Sequence, residues 1–220
     1  MLRPAVAARQ KQATARMGKN EQPSGPPAIA LYGGAFDPVH NAHLEIARRA
    51  RAASGAERVV FVPAARSPLK PRAPEAPDGA RVAMLERALA GEPGLTVDRY
   101  ELECGGTSYS VRTARHFAER EPEARLYWVL GGDQFERLPE WREIEALCRM
   151  VVFLVVARPG AGTAVPDLPD LRFARVDAPL MEESSSRIRE RLRRGRSIAG
   201  SVPPAVETFI AERGLYTNGE

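Results

Sequence analysis

The sequence predicts an α/β protein: a doubly wound, mostly parallel sheet with helices on both faces. Short apolar runs alternate with longer segments whose apolar residues recur at helical spacing, the pattern of right-handed βαβ units. The longest apolar run, Met150–Ala157, has the length of a buried strand and falls far short of a membrane span. Glycine turns follow two of the runs, at Gly33-Gly34 and Gly131-Gly132. In open sheets of this kind ligands gather at the strand C-terminal ends, near the switch point.

The elements follow in order. Ala28–Tyr32 reads as a short buried strand, and Asn41–Ser54 as a helix with Leu44, Ile46, Ala47 and Ala50 on its apolar side. Arg58–Val62 is a second strand, followed by a proline-rich loop from Pro63 to Pro77. Asp78 is expected to cap a helix running to about Ala90, with Val82, Leu85 and Leu89 on one stripe. Leu95–Tyr100 reads as a strand, Ser108–Glu121 as a helix, and Arg125–Leu130 as a strong strand. A helical stretch over Trp141–Cys148 leads into the strand Val151–Val156, and Leu171–Val176 is one more strand. Two helices close the chain, Ser185–Arg194 and Pro204–Arg213.

Composition limits the function classes. The 220 residues suffice for one substantial core, and 44% hydrophobic with 27% charged residues is ordinary for a soluble globular protein. Two cysteines, Cys104 and Cys148, argue against a disulfide scaffold and fit a reducing cytoplasm. The net charge of +4 is carried entirely by residues 1–27, which hold five basic residues and one acid, leaving 27 of each sign in the body. A nucleic-acid role would therefore rest on a short basic tail, and such tails are often merely solvated. The tail lacks the apolar core of a secretory signal and is expected to be disordered. Residues 28–220 are expected to form a single domain that includes the C-terminal helices of 184–216.

Leu31–His43, reading LYGGAFDPVHNAH, is the most informative stretch. A glycine-rich strand-to-helix turn lets backbone approach a phosphate, and a helix N-terminus adds N–H groups and positive potential. His40 and His43, three residues apart in a first helical turn, can face the same space. The arrangement suits a nucleotide triphosphate. A plain turn also explains the glycines, and a metal could use both histidines, although no Cys/His cluster supplies the further ligands that zinc needs. The spacing matches neither the dinucleotide fingerprint nor the P-loop.

Other residues carry chemistry with an ordinary alternative beside it. Lys70, after the second strand, can reach a phosphate or lie solvated in its loop. Asp133 can meet a ribose or cap a helix. Trp141 can stack on a ring or sit in the core. Thr107, Ser108, Tyr109 and Ser110 open a helix, where their hydroxyls suit capping and their N–H groups suit a carboxylate. Ser184, Ser185 and Ser186 begin a helix that turns hydroxyls and N–H groups toward an anion, with Arg189 adding charge-assisted bonds.

Together these segments resemble the bacterial nicotinate-mononucleotide adenylyltransferases of the wider nucleotidylyltransferase superfamily, from about Ala28 to Tyr216. Gly33–His43 is similar to the family's ATP signature and Ser184–Arg189 to its second, serine-rich signature. The subgroup is marked by Gly106–Ser110, Gly131–Trp141, Val156–Gly160 and the ending Val202-Pro-Pro-Ala-Val with Leu215-Tyr216. Ala42 stands where glycine is usual, Leu69 where histidine is common, Ser186 for threonine and Glu183 for an apolar residue.

The resemblance implies a Rossmann-like nucleotidyltransferase fold and transfer of an adenylyl group from ATP to nicotinate mononucleotide, with Mg²⁺ held through the ATP phosphates rather than by a protein metal site. It implies His40, His43, Lys70 and Arg189 as catalytic, and ATP contacts from Gly33, Gly34, Phe36, His40, His43, Gly131, Asp133, Ser184, Ser185, Ser186 and Arg189. Acceptor contacts would come from Asp37, Lys70, Thr107, Ser108, Tyr109, Ser110 and Trp141. No nucleic acid or membrane partner is implied, and a homo-oligomer is compatible. Rival readings are an adenylyltransferase for nicotinamide mononucleotide or phosphopantetheine, and a non-catalytic nucleotide-binding module.

Overall fold

The structure, a computed structural model, describes residues 26–69, 72–157, 163–179 and 183–217. Residues 1–25 of the expected tail, Lys70 and most of Val156–Gly160 therefore lie outside the described residues.

Six parallel strands form the sheet: β1 (Ala28–Gly34), β2 (Arg58–Pro63), β3 (Leu95–Val97), β4 (Arg125–Gly131), β5 (Val151–Ala157) and β6 (Phe173–Asp177), in the order β3-β2-β1-β4-β5-β6. The order reverses between β1 and β4, so the switch point lies where Gly33-Gly34 and Gly131-Gly132 leave the sheet. Strand alternation divides the core. Ala30 and Tyr32 face a cluster with helices α1 (Asn41–Ser54), α2 (Asp78–Leu89), α7 (Ser185–Arg193) and α8 (Pro204–Glu212). Ile29 and Leu31 face a second cluster with α4 (Ser110–Arg120), α5 (Gly132–Glu136) and α6 (Ile144–Met150).

Helix α1 has the boundaries its sequence predicts. Its buried residues, Ala42, Leu44, Ala47 and Ala50, are mostly small, which brings it close to the sheet; Ile46 is only partly buried. It stops at Gly55, which has φ 67° and whose N–H donates to the Arg51 carbonyl at 3.0 Å, a left-handed cap that glycine adopts without penalty.

Four expectations are corrected. The strand at 95 ends at Val97, because the Asp98 carboxylate accepts the Tyr100 N–H at 2.8 Å; that local turn starts the short helix α3 (Tyr100–Cys104). Asp78 lies inside α2 after the N-cap Pro77, and its carboxylate accepts from Arg81 at 2.5 Å instead of capping. The helix expected over Trp141–Cys148 begins at Ile144, after a 3-10 turn at Leu138–Glu140 and a left-handed Glu143 with φ 51°. Helix α4 starts at Ser110 with Tyr109 at the N-cap and no side-chain cap, so the hydroxyls before it serve another purpose. None of the described helices is long and apolar enough to cross a membrane.

Candidate active site

The turn from β1 to α1 builds one wall of the site. A side chain at Gly33 would meet the Trp128 ring at 3.1 Å, and one at Gly34 would meet the Phe36 ring at 3.0 Å. A side chain at either position would therefore press on an aromatic ring packed against the turn. Phe36, buried with φ 47°, packs edge-on against Tyr32 and His43 with ring centroids 5.5 and 5.1 Å apart.

The two histidines meet as expected. Their rings stack with centroids 3.7 Å apart. The His40 backbone N–H donates to His43 Nδ1 at 3.2 Å, which places the ring proton of His43 on Nε2. His40 is only 5% exposed, and its Nδ1 has no hydrogen-bond partner. Burial pulls its pKa down to about 4, so the ring is uncharged at neutral pH. The backbone of α1 offers less than the sequence suggests: the Asn41 N–H donates to the Ser201 carbonyl at 3.0 Å and the His43 N–H to the His40 carbonyl at 2.9 Å. Side chains, more than amides, define this wall.

The serine-rich start of α7 closes on the same turn. Ser185 Oγ donates to the Pro38 carbonyl at 2.9 Å, and Arg189 donates to the Asp37 carbonyl at 2.7 Å. Two segments nearly 150 residues apart thus touch directly. Ser184 caps α7 by accepting the Arg187 N–H at 3.3 Å, while Ser186 is exposed in the first turn. Arg189 also donates to Glu75 at 2.8 Å, and Arg193 pairs with the same carboxylate. These cations hold Glu75 below its ordinary pKa against the opposing effect of burial.

Asp37 is 3% exposed. Its carboxylate accepts the Glu75 N–H at 2.8 Å, the Ala76 N–H at 3.0 Å and the Tyr216 hydroxyl at 2.8 Å. Behind the turn Arg81, fully buried, donates to the Ala35 carbonyl at 2.7 Å.

The 107–110 turn is tied to the loop after β2. Ser108 donates its N–H to the Arg66 carbonyl at 2.9 Å and accepts the Ala65 N–H on its hydroxyl at 3.0 Å. Under it lies Glu101, buried and bonded by Thr113 at 2.5 Å; desolvation raises its pKa against the hydrogen bonds of Thr113 and Ser108. Thr107 and Ser110 are half-buried, and Tyr109 lies under the Arg142 guanidinium at 4.7 Å. Trp141, half-buried, stands edge-on to Trp128 at 6.3 Å, and its buried Nε1 has no hydrogen-bond partner. Trp128 therefore links the Gly33 turn to Trp141. At the end of β4, a side chain on Gly131 would lie 2.7 Å from Asp133 Oδ1; Asp133 itself is exposed and accepts from Gln134 at 3.2 Å.

The structure thus brings Gly33, Gly34, Phe36, Asp37, His40, His43, Ser185 and Arg189 into one cluster. It sets Thr107–Ser110 and Trp141 beside a second, and leaves Asp133 at the rim. Sequence reasoning missed Glu75, Arg81 and Glu101, ordinary charged residues in loop and helix whose roles come only from distant partners. Among the described residues no group of three or more His, Cys, Asp or Glu side chains is placed to hold a metal ion.

Comparison with known proteins places the chain among relatives. The model of the cytidylyltransferase-like family matches residues 31–191, a span containing both walls of the site. A protein named "Probable nicotinate-nucleotide adenylyltransferase" from Opitutus terrae is 39% identical over 189 residues, covering 86% of this chain and 97% of the relative. One of the same name from Shouchella clausii is 40% identical over 189 residues, covering 86% and 96%. The Plasmodium falciparum nicotinic acid mononucleotide adenylyltransferase, solved in complex with NaAD, superimposes with a TM-score of 0.70 at 19% identity over 86% of this chain and 97% of that one, a likeness of fold. With both signature segments in contact and close relatives matching nearly end to end, the chain belongs to the nicotinate-nucleotide adenylyltransferase family.

Proposed function

We propose that this protein transfers the adenylyl group of ATP to nicotinate mononucleotide, forming nicotinate adenine dinucleotide and pyrophosphate. The observation that carries the reading is the junction of the two signature segments, Pro38 with Ser185 and Asp37 with Arg189, around the stacked histidines. A phosphate oxygen of the mononucleotide attacks the α-phosphorus in line, the bond to the α,β-bridging oxygen breaks, and pyrophosphate leaves with that electron pair. No covalent enzyme intermediate is needed. Catalysis then rests on positioning and on donors aimed at developing charge.

In this reading His43 offers its Nε2 proton to the phosphates, and uncharged His40 supports it through the stack and the fixed tautomer. Arg189 supplies the cation on the opposite wall, and Lys70 a second mobile charge. Asp133 receives the ribose hydroxyls of ATP. Trp141 offers a face to the pyridine ring. The Ser108 N–H is engaged by Arg66, so the carboxylate of nicotinate meets the neighbouring amides of Thr107 and Tyr109. ATP would arrive as its Mg²⁺ complex, with the ion held through the phosphate oxygens. Residues 28–220 act as one catalytic unit, and two free cysteines, Cys104 and Cys148, suit a reducing cytoplasm.

The test is pyrophosphate release with ATP·Mg²⁺ and, in turn, nicotinate mononucleotide, nicotinamide mononucleotide and phosphopantetheine. The acid nucleotide is expected to give the highest kcat/KM. Equal or greater turnover with the amide overturns the acceptor assignment, and no release with any acceptor overturns the enzymatic reading.

A further inference from the structure

Tyr216, near the C-terminus, has no part in the reaction as described, yet it is 8% exposed and its hydroxyl reaches Asp37 across 179 residues of sequence. Its backbone has φ 65°, a conformation that a bulky residue keeps only when its surroundings impose it. Burial and the adjacent Asp37 carboxylate raise its pKa, so it is a permanent donor. Asp37 joins four segments. Its carbonyl accepts from Arg189 in α7, and its carboxylate accepts the Glu75 and Ala76 amides at the end of the loop that follows β2, together with Tyr216. Glu75 then grips Arg189 from the other side.

We propose that Tyr216 is a positioning residue for the ATP side of the site, a C-terminal latch that acts through Asp37 to fix Glu75 and thereby the direction of the Arg189 guanidinium. The same geometry assigns the Asp37 carboxylate to this internal latch instead of to the acceptor, because its oxygens already serve three donors in a buried place. As a statement about catalysis the latch rests on the adenylyl-transfer reading.

Tyr216→Phe keeps the buried ring and removes only the hydroxyl. A lost bond to a charged acceptor corresponds to roughly a tenfold effect, so KM for ATP, and its calorimetric Kd, rises about tenfold while KM for nicotinate mononucleotide stays within twofold. Amide exchange at Glu75 and Ala76 quickens by about tenfold, with strand β4 unaffected. Unchanged ATP affinity with a lower Tm, or equal rises in both KM values, assigns Tyr216 to plain packing and overturns the latch. The unmodified chain gives a check that needs no variant: its Glu75 and Ala76 amides exchange at least about a hundredfold slower than unstructured amides, and free exchange there overturns the proposal. Absence of pyrophosphate release by the unmodified chain refutes the reaction alone, since ATP binding and amide exchange still decide the latch.

Discussion

The stacked His40 makes the nucleotide-free protein sensitive to acid in a window that can be worked out. Its pKa falls from 6.5 to about 4 because burial penalises the charged ring. Between those values the unfolded chain binds a proton that the folded chain refuses, so stability falls as pH falls. The contribution is complete above pH 6.5 and is lost progressively on the way to pH 4. For one site with these two values the loss is about 2 kcal/mol at pH 5 and about 3 kcal/mol at pH 4. Other groups titrate nearby. Glu101, raised by burial, contributes with the opposite sign, losing stability as pH rises above its unfolded value. Glu75 and Glu92, lowered by arginine partners, lose stability on acidification. A His40→Asn variant removes the ring, suits the N-cap position with its extended backbone, and leaves those other terms in place. Urea unfolding of both proteins at pH 7 and pH 5 should therefore show the unmodified protein losing about 2 kcal/mol more than the variant. Equal losses would refute the neutral, desolvated His40 and with it the argument that the histidine pair works through hydrogen bonds instead of a preformed positive charge.

His43→Ala is expected to lower kcat at least about a hundredfold, the scale of removing one donor aimed at developing charge; steady-state rates with saturating ATP near those of the unmodified enzyme would exclude His43 from the reaction. Gly34→Ala drives a methyl to 3.0 Å from the Phe36 ring, and overpacking of this kind costs about 1–3 kcal/mol. Calorimetry should find a Tm lower by several degrees, and an unchanged Tm would show that the ring moves aside freely.

Much of the fold was legible because its signals are local. The α1 boundaries follow from a small-residue stripe and a glycine stop, and the strands from apolar runs between turns. The misreadings have local causes too. Leu95–Tyr100 reads as one strand and Asp78 as a cap, whereas a backbone amide two residues on claims the Asp98 carboxylate and a buried arginine three residues on claims that of Asp78. Within the site, Gly33-Gly34, His40, His43 and the triple serine announced themselves by spacing. Glu75, Arg81 and Glu101 did not, since nothing distinguishes a loop glutamate from its neighbours until Arg189 and Arg193 are folded against it.

That division explains why the motif alone under-describes the site. In the sequence Asp37 belongs with the phosphate-facing turn, because it lies between Phe36 and His40. In the structure its side chain points away from solvent into three donors, and Arg189 donates to its carbonyl at 2.7 Å while lying 3.7 Å from its carboxylate. The turn is therefore held from behind: by Asp37 to Tyr216 near the C-terminus, and by Arg81 of α2 through the Ala35 carbonyl. Both anchors are buried. A stacked pair that acts through hydrogen bonds needs such a rigid mounting, because a hydrogen-bond donor loses its advantage with misalignment faster than a point charge does. Two buried anchors beneath a stacked histidine pair are the structural counterpart of a reaction that depends on alignment more than on a nucleophile.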